Sequence, residues 1–507
     1  MPGSLAQYFT ATDYLLSLPI ILLALFALGI LLIDLLVPPE WKSLNAVTAF
    51  LGLVFSAVAV GKIQLAQAAV ERGGQKLQWA FRQSMLVDHF AIYFFYLFLA
   101  GAAVSILISV RYLEIEKENH GEFYALILFS IIGMMCMASG FDIVLIFIGL
   151  ELMAISTYVL VGFLRRDRRS NEGALKYLLL GAFSSGIFAY GLSLLYGLTG
   201  STNLLVIAPR LGQFLAGRIN PIAVLAVLTV SAGLFFKIAA IPFHQWAPDA
   251  YEGAPTNVTA FMSVAVKAAG WAMLLRIFLW GFPAVRSVYV PIVVFVAIAT
   301  MTGANLAALT QSNLKRLLAY SSIAHVGYML LGLISGNEDG IKGILLYLLV
   351  YTFMNLGAFA VITSLRQRNV IGDEIDDIAG LFSRAPTEAV LMLIFLLSLS
   401  GIPPLAGFYG KYFIFLSLIE TKHYVLASLA VLYAVFGLYY YMRIANAMFM
   451  REATDKTPLP LSPGMRVALG VTAFATVYIG ILPEQFIRLV NWSLGIVQST
   501  SVASLIR

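Results

Sequence analysis

The chain has 507 residues, 60% of them apolar and only 11% charged, which excludes an ordinary water-soluble globule, where about a quarter of residues carry charge. A net charge of +6 is modest and spread over loops, so it does not suggest a nucleic-acid partner, and the mean hydropathy of +0.89 points to lipid as the solvent. One cysteine, Cys136, excludes disulfides and iron–sulfur ligation by this chain.

A membrane helix needs roughly 20 apolar residues. The first apolar run, Leu16 to Val37, is too long for a signal-peptide core and has no A-x-A site after it, so it reads as a retained helix. About fourteen spans follow in order: 14–37, 44–62, 88–110, 122–139, 141–163, 173–199, 221–241, 256–280, 289–309, 314–335, 342–366, 387–421, 424–449 and 464–483. The fold class is therefore an all-α integral membrane protein. Tyr and Trp near the ends of these runs read as interfacial belts. The tail after Pro483 is amphipathic and fits a surface helix. With the N-terminus placed outside, the loops on the inner side hold fifteen Lys and Arg against nine on the outer side, and the run Arg165-Arg166-Asp167-Arg168-Arg169 dominates the difference. The positive-inside rule then puts both termini outside.

The chain repeats itself at a shift of 170 residues. Ala154, Tyr158, Leu160 and Gly162 fall on Ala324, Tyr328, Leu330 and Gly332, and Gly173 and Tyr177 fall on Gly343 and Tyr347. The period covers five spans. Five is odd, so the second copy is inverted relative to the first, as in many transporters. The expected division is a three-helix region over 1–121, a first repeat over 122–280, a second over 281–449, and a last span with its tail over 450–507. Each repeat holds one broken helix. The first break is Lys237-Ile-Ala-Ala-Ile-Pro242, and the second is Ser400-Gly401-Ile-Pro403-Pro404-Leu-Ala-Gly407. Proline removes a backbone donor and glycine loosens the turn. Broken backbone survives at membrane depth only where it meets protein or water.

Charge inside the spans is the functional signal. An ionisable group at mid-membrane costs at least ~2.5 kcal/mol on insertion scales, so it persists where it is paired, hydrated or useful. Glu151 sits mid-span with no polar flank, and Lys267 is equally central. Lys237 and Lys411 lie beside the two breaks. Lys176 is a few residues past a loop, where snorkelling competes with function. Lys315, at the start of the tenth span, reads as a loop charge or a relay entrance. Arg276 and Arg443 read as interfacial or structural, because an arginine that never releases its proton is a poor carrier. His325 shares a polar stripe with Ser321, Ser322 and Tyr328, and imidazole suits a relay. Lysine suits one too, because burial disfavours its charged form and a nearby carboxylate restores it. His244 and Asp249 lack recognisable metal-ligand spacing, and a structured connector is the simpler reading. There is no Walker A pattern and no G-x-G-x-x-G fingerprint, so the chain holds no evident energy source of its own.

Two stretches carry a family resemblance. One runs from Lys237 through His244-Gln-Trp246-Ala-Pro248-Asp249-Ala-Tyr251-Glu-Gly253-Ala-Pro255 to Lys267. The other is Gln311-Ser-Asn-Leu-Lys315-Arg316-Leu-Leu-Ala-Tyr320-Ser-Ser-Ile-Ala-His325-Val-Gly-Tyr328. Both resemble the antiporter-like subunits of respiratory complex I, and the likeness runs from the first span to the fourteenth. The chain looks most like the subunit N branch of bacterial NADH–quinone oxidoreductases, counterparts of mitochondrial subunit 2. It ends soon after the last span, and it has Lys411 in Gly407-Phe-Tyr-Gly410-Lys411 where another branch carries glutamate.

The resemblance places the family's relay on Glu151, Lys237, Lys267, His325 and Lys411, with Lys315 before the histidine and Lys176 as a further subunit N lysine. It implies electron transfer from NADH to quinone through FMN and iron–sulfur clusters on other subunits, with no cofactor or metal on this chain. It also implies the other membrane-arm subunits and the lipid bilayer as partners, quinone only indirectly, no nucleic acid, and residence in a bacterial inner membrane. Two related readings remain open: the large subunit of a multisubunit Na⁺/H⁺ antiporter, and a ferredoxin-dependent photosynthetic relative. A purely structural membrane protein is disfavoured, because it would gain by replacing each buried charge with leucine.

Overall fold

In lipid, backbone N–H and C=O groups must find partners within the chain, and helices meet that need locally. The computed structural model describes residues 9–71, 77–215, 220–366, 372–453 and 461–499. Among them, thirteen helices are long and apolar enough to cross a membrane. The expected span 387–421 is the fourteenth crossing, divided into Pro386–Ser400 and Ala406–Glu420.

The first five crossings are α1 (Ala11–Leu36), α2 (Ser43–Glu71), α3 (His89–Glu116), α4 (Gly121–Ser139) and α5 (Ile143–Val161). Then come α6 (Arg168–Thr199), a short α7 (Leu204–Leu215), α8 (Pro221–Ile238) and α9 (Trp246–Gly253). The eighth crossing is α10 (Thr256–Phe261), a π-helical turn over Met262–Val266, α11 (Lys267–Arg276) and a second π turn over Ile277–Gly281. The second half holds α12 (Arg286–Leu309), α13 (Leu314–Ser335), α14 (Glu338–Ser364), a single turn α15 (Leu381–Arg384), α16 (Pro386–Ser400), α17 (Ala406–Glu420) and α18 (Tyr424–Met450). It is followed by α19 (Pro463–Ile481) and the amphipathic α20 (Pro483–Ser499), as expected for the tail.

Several helices outrun their apolar cores, because a polar cap rather than hydropathy sets their start. Asp167 accepts a hydrogen bond from the Arg169 amide and starts α6 at Arg168, so Arg168 and Arg169 belong to a helix rather than the expected loop. Asn313 and Asn337 cap α13 and α14 in the same way, which puts Lys315, Arg316 and Lys342 on helices too. Lys62 and Arg111 likewise lie on α2 and α3. Arg72, Lys76, Arg218, Arg368 and Lys456, also counted as loop cations, and the end of the tail beyond Ser499 lie outside the described residues. The sequence reading contained neither α7 nor a two-stranded hairpin pairing Trp79–Ala80 with Met85–Leu86.

The expected aromatic belts hold only in part. Tyr14, Tyr190, Tyr196 and Trp41 are exposed, but Tyr177, Tyr251, Tyr347, Tyr440, Tyr441, Trp246 and Trp271 are fully buried. The apolar window of Thr256–Gly281, which holds Trp271, is entirely buried.

Both breaks are present and alike. Helix α8 stops at Ile238, Ala239 turns left-handed at φ 59°, and a cis Ile241–Pro242 bond leads to α9. Helix α16 stops at Ser400, Gly401 turns left-handed at φ 86°, and a cis Pro403–Pro404 bond leads to α17. The 170-residue repeat shows in the packing. Gly173 of α6 lies against the backbone of Asp249 and Gly253 in α9, after the first break. Its counterpart Gly343 of α14 lies against the backbone of Phe413 and Ile414 in α17, after the second. Both glycines are needed for these close approaches.

Candidate proton path

Lys237 occupies the last turn of α8, and its amine is buried with no hydrogen-bond partner, 5.6 Å from the centre of the Phe236 ring. Glu151, midway along α5, also has a buried carboxylate oxygen without a partner. Glu151 lies close enough for its charge to act on Lys237, yet no ion pair within 4.0 Å joins them among the described residues. Their coupling is through space, and the polar atoms left over at both ends suit intervening water.

Lys267 begins α11 immediately after the π turn and donates to the Ser322 hydroxyl of α13. Its amine lies 5.8 Å from the centre of the Tyr251 ring. One turn on from Lys267, Gly270 packs against the carbonyl of Lys237, so the α8 and α11 backbones touch between the two lysines. Ser322 and His325 are three residues apart and share a face of α13.

His325 is buried, with Nδ1 2.5 Å from the Tyr347 hydroxyl and Nε2 3.0 Å from the Tyr441 hydroxyl. Tyr441 also meets Ser321, and the Tyr351 ring lies 5.3 Å from the imidazole. Lys411, on α17, reaches back across the second break. It donates to the carbonyls of Ser400 at 2.7 Å and Leu399 at 3.1 Å, the negative end of α16, and lies 5.2 Å from the Tyr328 ring centre. The charges of both Lys267 and Lys411 bear on His325. Of the five expected relay residues, Lys237, Lys267, His325 and Lys411 are buried on α8, α11, α13 and α17, Glu151 of α5 is partly buried, and Lys237 and Lys411 stand beside the two breaks.

The two lower-ranked lysines lie off this line. The Lys176 side chain is 46% exposed and bridges Glu172 at 2.9 Å and Asp249 at 3.1 Å, at the rim of a charged pit that also includes Arg316 and Glu252. It snorkels to a surface, as the sequence allowed. Burial pushes the Asp249 carboxyl up, but the hydrogen bonds from Arg316 and Lys176 outweigh it and hold Asp249 below the usual carboxylate range. Lys315 is neither a loop charge nor solvent-facing. It is buried, paired with Asp373 at 3.1 Å and bonded to the Ala254 carbonyl at 3.0 Å. Burial leaves the Asp373 carboxyl raised despite that lysine. Burial also holds the imidazole of His244, in the connector after the first break, below its ordinary value. No cluster of three His, Cys, Asp or Glu suited to a metal occurs among the described residues.

Arg276 is not interfacial. It is fully buried and paired with Asp88. Arg443 is structural and donates to the Leu309 and Gln311 carbonyls at the end of α12. Sequence reasoning missed Asp88, Asp373 and the tyrosine pair around His325. The repeat had singled out Tyr347 without a role, and Asp88 read only as the edge of an apolar run.

The family model described as NADH:quinone oxidoreductase/Mrp antiporter, TM, matches residues 140–437, a stretch that contains all five residues of the line. NADH-quinone oxidoreductase subunit N 1 of Koribacter versatilis is 64% identical over 509 residues, covering 99% of this chain and 100% of that one. The chain belongs to the NADH-quinone oxidoreductase subunit N family. A chain of respiratory complex I from Thermus thermophilus superposes with a TM-score of 0.77 at 32% identity, covering 93% of this chain and 98% of that one. A chain of the Mrp complex from Dietzia superposes at 0.80 with only 20% identity, covering 98% and 100%, a likeness of fold alone. The subunit N chain described here is a multi-pass membrane protein.

Proposed function

We propose that this chain is a proton-translocating membrane subunit of an NADH-quinone oxidoreductase, and that Glu151, Lys237, Lys267, His325 and Lys411 carry or steer the proton. The buried polar line supports this reading most directly. Four titratable nitrogens stand among hydroxyls and unpartnered polar atoms in a protein core that would be more stable with leucine there. Each lysine is a switch: a neighbouring carboxylate or helix C-terminus favours its charged form, and desolvation disfavours it. A proton is held while the favourable neighbour is close and released when it withdraws. Lys176 and Lys315 lie off this line and enter the scheme only as charged groups beside it. The repeats over 122–280 and 281–449 each supply one half of the path, with the 1–121 and 450–507 regions packed around them.

Redox chemistry belongs to partner subunits that hold FMN and iron–sulfur clusters and pass electrons from NADH to quinone. This chain binds none of them and works among neighbouring membrane-arm subunits. We place it in the inner membrane of a bacterium with both termini outside. The multisubunit antiporter reading is disfavoured, because identity falls from 64% with a subunit N protein to 20% with the Mrp chain. Purification of the native assembly in mild detergent tests the assignment. Co-purification with flavin- and iron–sulfur-bearing subunits is expected. A functional chain recovered alone, or with small antiporter subunits only, would overturn it.

A further inference from the structure

A fully buried and fully hydrogen-bonded charge pair lies outside the proton line. Arg276 and Asp88 are both fully buried. Arg276 Nη1 donates to Asp88 Oδ2 at 2.7 Å, and Nη2 donates to Oδ1 at 2.7 Å. Nε and Nη2 donate to the Ala138 carbonyl at 3.0 and 2.9 Å. The guanidinium lies 4.6 Å from the Phe90 ring centre and 4.7 Å from that of Trp280. Asp88 also accepts from the Ala91 amide as the cap of α3, and Ala138 lies in the last turn of α4. Three helices therefore meet at one planar, rigid group.

A buried pair of this kind adds little net stability over a leucine cluster, and the best-attested use of such pairs is to fix register. Here the register in question is that of α11. This ten-residue helix has a π turn at each end, Met262–Val266 before it and Ile277–Gly281 after it. A π turn holds one residue more than the α-helical hydrogen-bond pattern requires, and its loss or migration by one residue would turn the adjoining helix by about 100°. Lys267 is the first residue of α11 and Arg276 the last, nine residues or about 13 Å apart and on opposite faces. Holding the azimuth of one holds the azimuth of the other.

We propose that the Asp88–Arg276 pair sets the rotation of α11 and so aims Lys267 at Ser322. The two are positioning residues, and the inference rests on the reading of Lys267 as a proton carrier. The Lys267 side of α11 supports it, because Gly270, one turn on, meets the Lys237 carbonyl there and has no side chain to resist rotation. Without the pair, the helix between two π turns has no charged anchor of its own.

The test uses the whole complex in vesicles, with proton uptake measured per assembled complex. NADH oxidation by a soluble acceptor serves as the control for the peripheral redox chain. Arg276→Lys keeps the charge but loses the bidentate fork and one carbonyl bond. It should assemble and take up protons about tenfold more slowly, since an ångström of misplacement is costly at a reacting centre. Ser322→Ala should slow uptake as well. The double variant should be no slower than the slower single one, because both changes break the same contact. Natural uptake in Arg276→Lys, or multiplied losses in the double variant, would overturn the proposal. If Arg276→Lys does not assemble, Asp88→Glu replaces it. Failure of both to assemble would show that the pair holds the fold rather than aims Lys267, and would also overturn it. Lys267→Met separates the two readings: natural uptake there removes the relay itself, whereas lost uptake beside a normal Arg276→Lys removes only the positioning role.

Discussion

At the scale of the residue, burial separates the proposed carriers from surface charges. Lys237, Lys267 and Lys411 are 3%, 2% and 7% exposed, whereas the Lys176 side chain is 46% exposed. A lysine in water needs no special arrangement to gain or lose a proton, so Lys176→Met should lower proton uptake far less than Lys237→Met. Equal losses in assembled complexes would place Lys176 on the path after all. Asp249 links Lys176 of α6 to Arg316 of α13 and has a folded-state pKa below its ordinary value of 3.8. A depressed carboxyl contributes stability that is fully present above its unfolded value and is lost as pH falls through the folded one. This bridge should therefore be intact at neutral pH and weaken below about pH 4. Thermal unfolding in detergent between pH 3 and pH 7 checks this. Asp249→Asn should flatten the acid limb of that profile, and an unchanged limb would assign the loss to other carboxylates. The charge line was legible residue by residue, because an ionisable group in an apolar run stands out. Its partners were not. Asp88 is the first residue of an expected span and Asp373 lies outside the spans, and only tertiary structure carries them to Arg276 and Lys315.

At the scale of the element, the two breaks matter because they expose helix ends inside the protein. Lys411 is held by the last carbonyls of α16, which face inward only because α16 stops at Gly401. Gly401 has φ 86°, and a Cβ there would lie 2.8 Å from Cδ of Lys411. Gly401→Ala carries a left-handed strain of roughly 1–2 kcal/mol and pushes the lysine off its carbonyls. The expected result is an assembled complex with slower proton uptake, read from vesicles. Gly197→Ala, with nothing within 4 Å of its Cβ, is the matched control and should leave uptake unchanged. Equal behaviour of the two would deny Gly401 its role. The breaks were readable from proline and glycine, but the π turns around α11 were not. Met262–Val266 and Ile277–Gly281 contain no proline, and their sequences differ little from ordinary apolar helix. An extra residue shifts the phase of a helix, but this helix is buried on all sides and has no polar face to mark the shift. The polar capping residues Asp167, Asn313 and Asn337 extended helices into what composition alone suggests are loops.

At the scale of the whole molecule, two similar five-helix units bring one break each to the flanks of a single polar line. The repeat was legible because Gly173 and Gly343, and Tyr177 and Tyr347, occupy matching places under the same packing demand. What the repeat could not reveal is that the copies differ at their centres. The first holds a lysine on the half-helix before its break, whereas the second reaches back from the half-helix after it. Lys237 therefore depends on Glu151 across a gap, and Lys411 on backbone carbonyls in contact. The central claim is that Lys267 and Lys411 change protonation rather than merely fill space. The direct measurement is proton uptake into vesicles, together with quinone reduction, by fully assembled complexes carrying Met or Arg at either position. Methionine keeps length and apolarity without a titratable group, and arginine keeps the charge but does not release it. The account predicts normal assembly with proton uptake lost in both variants, and quinone reduction falling with it where the two are tightly coupled. Normal uptake in both the Met and the Arg variants would contradict it.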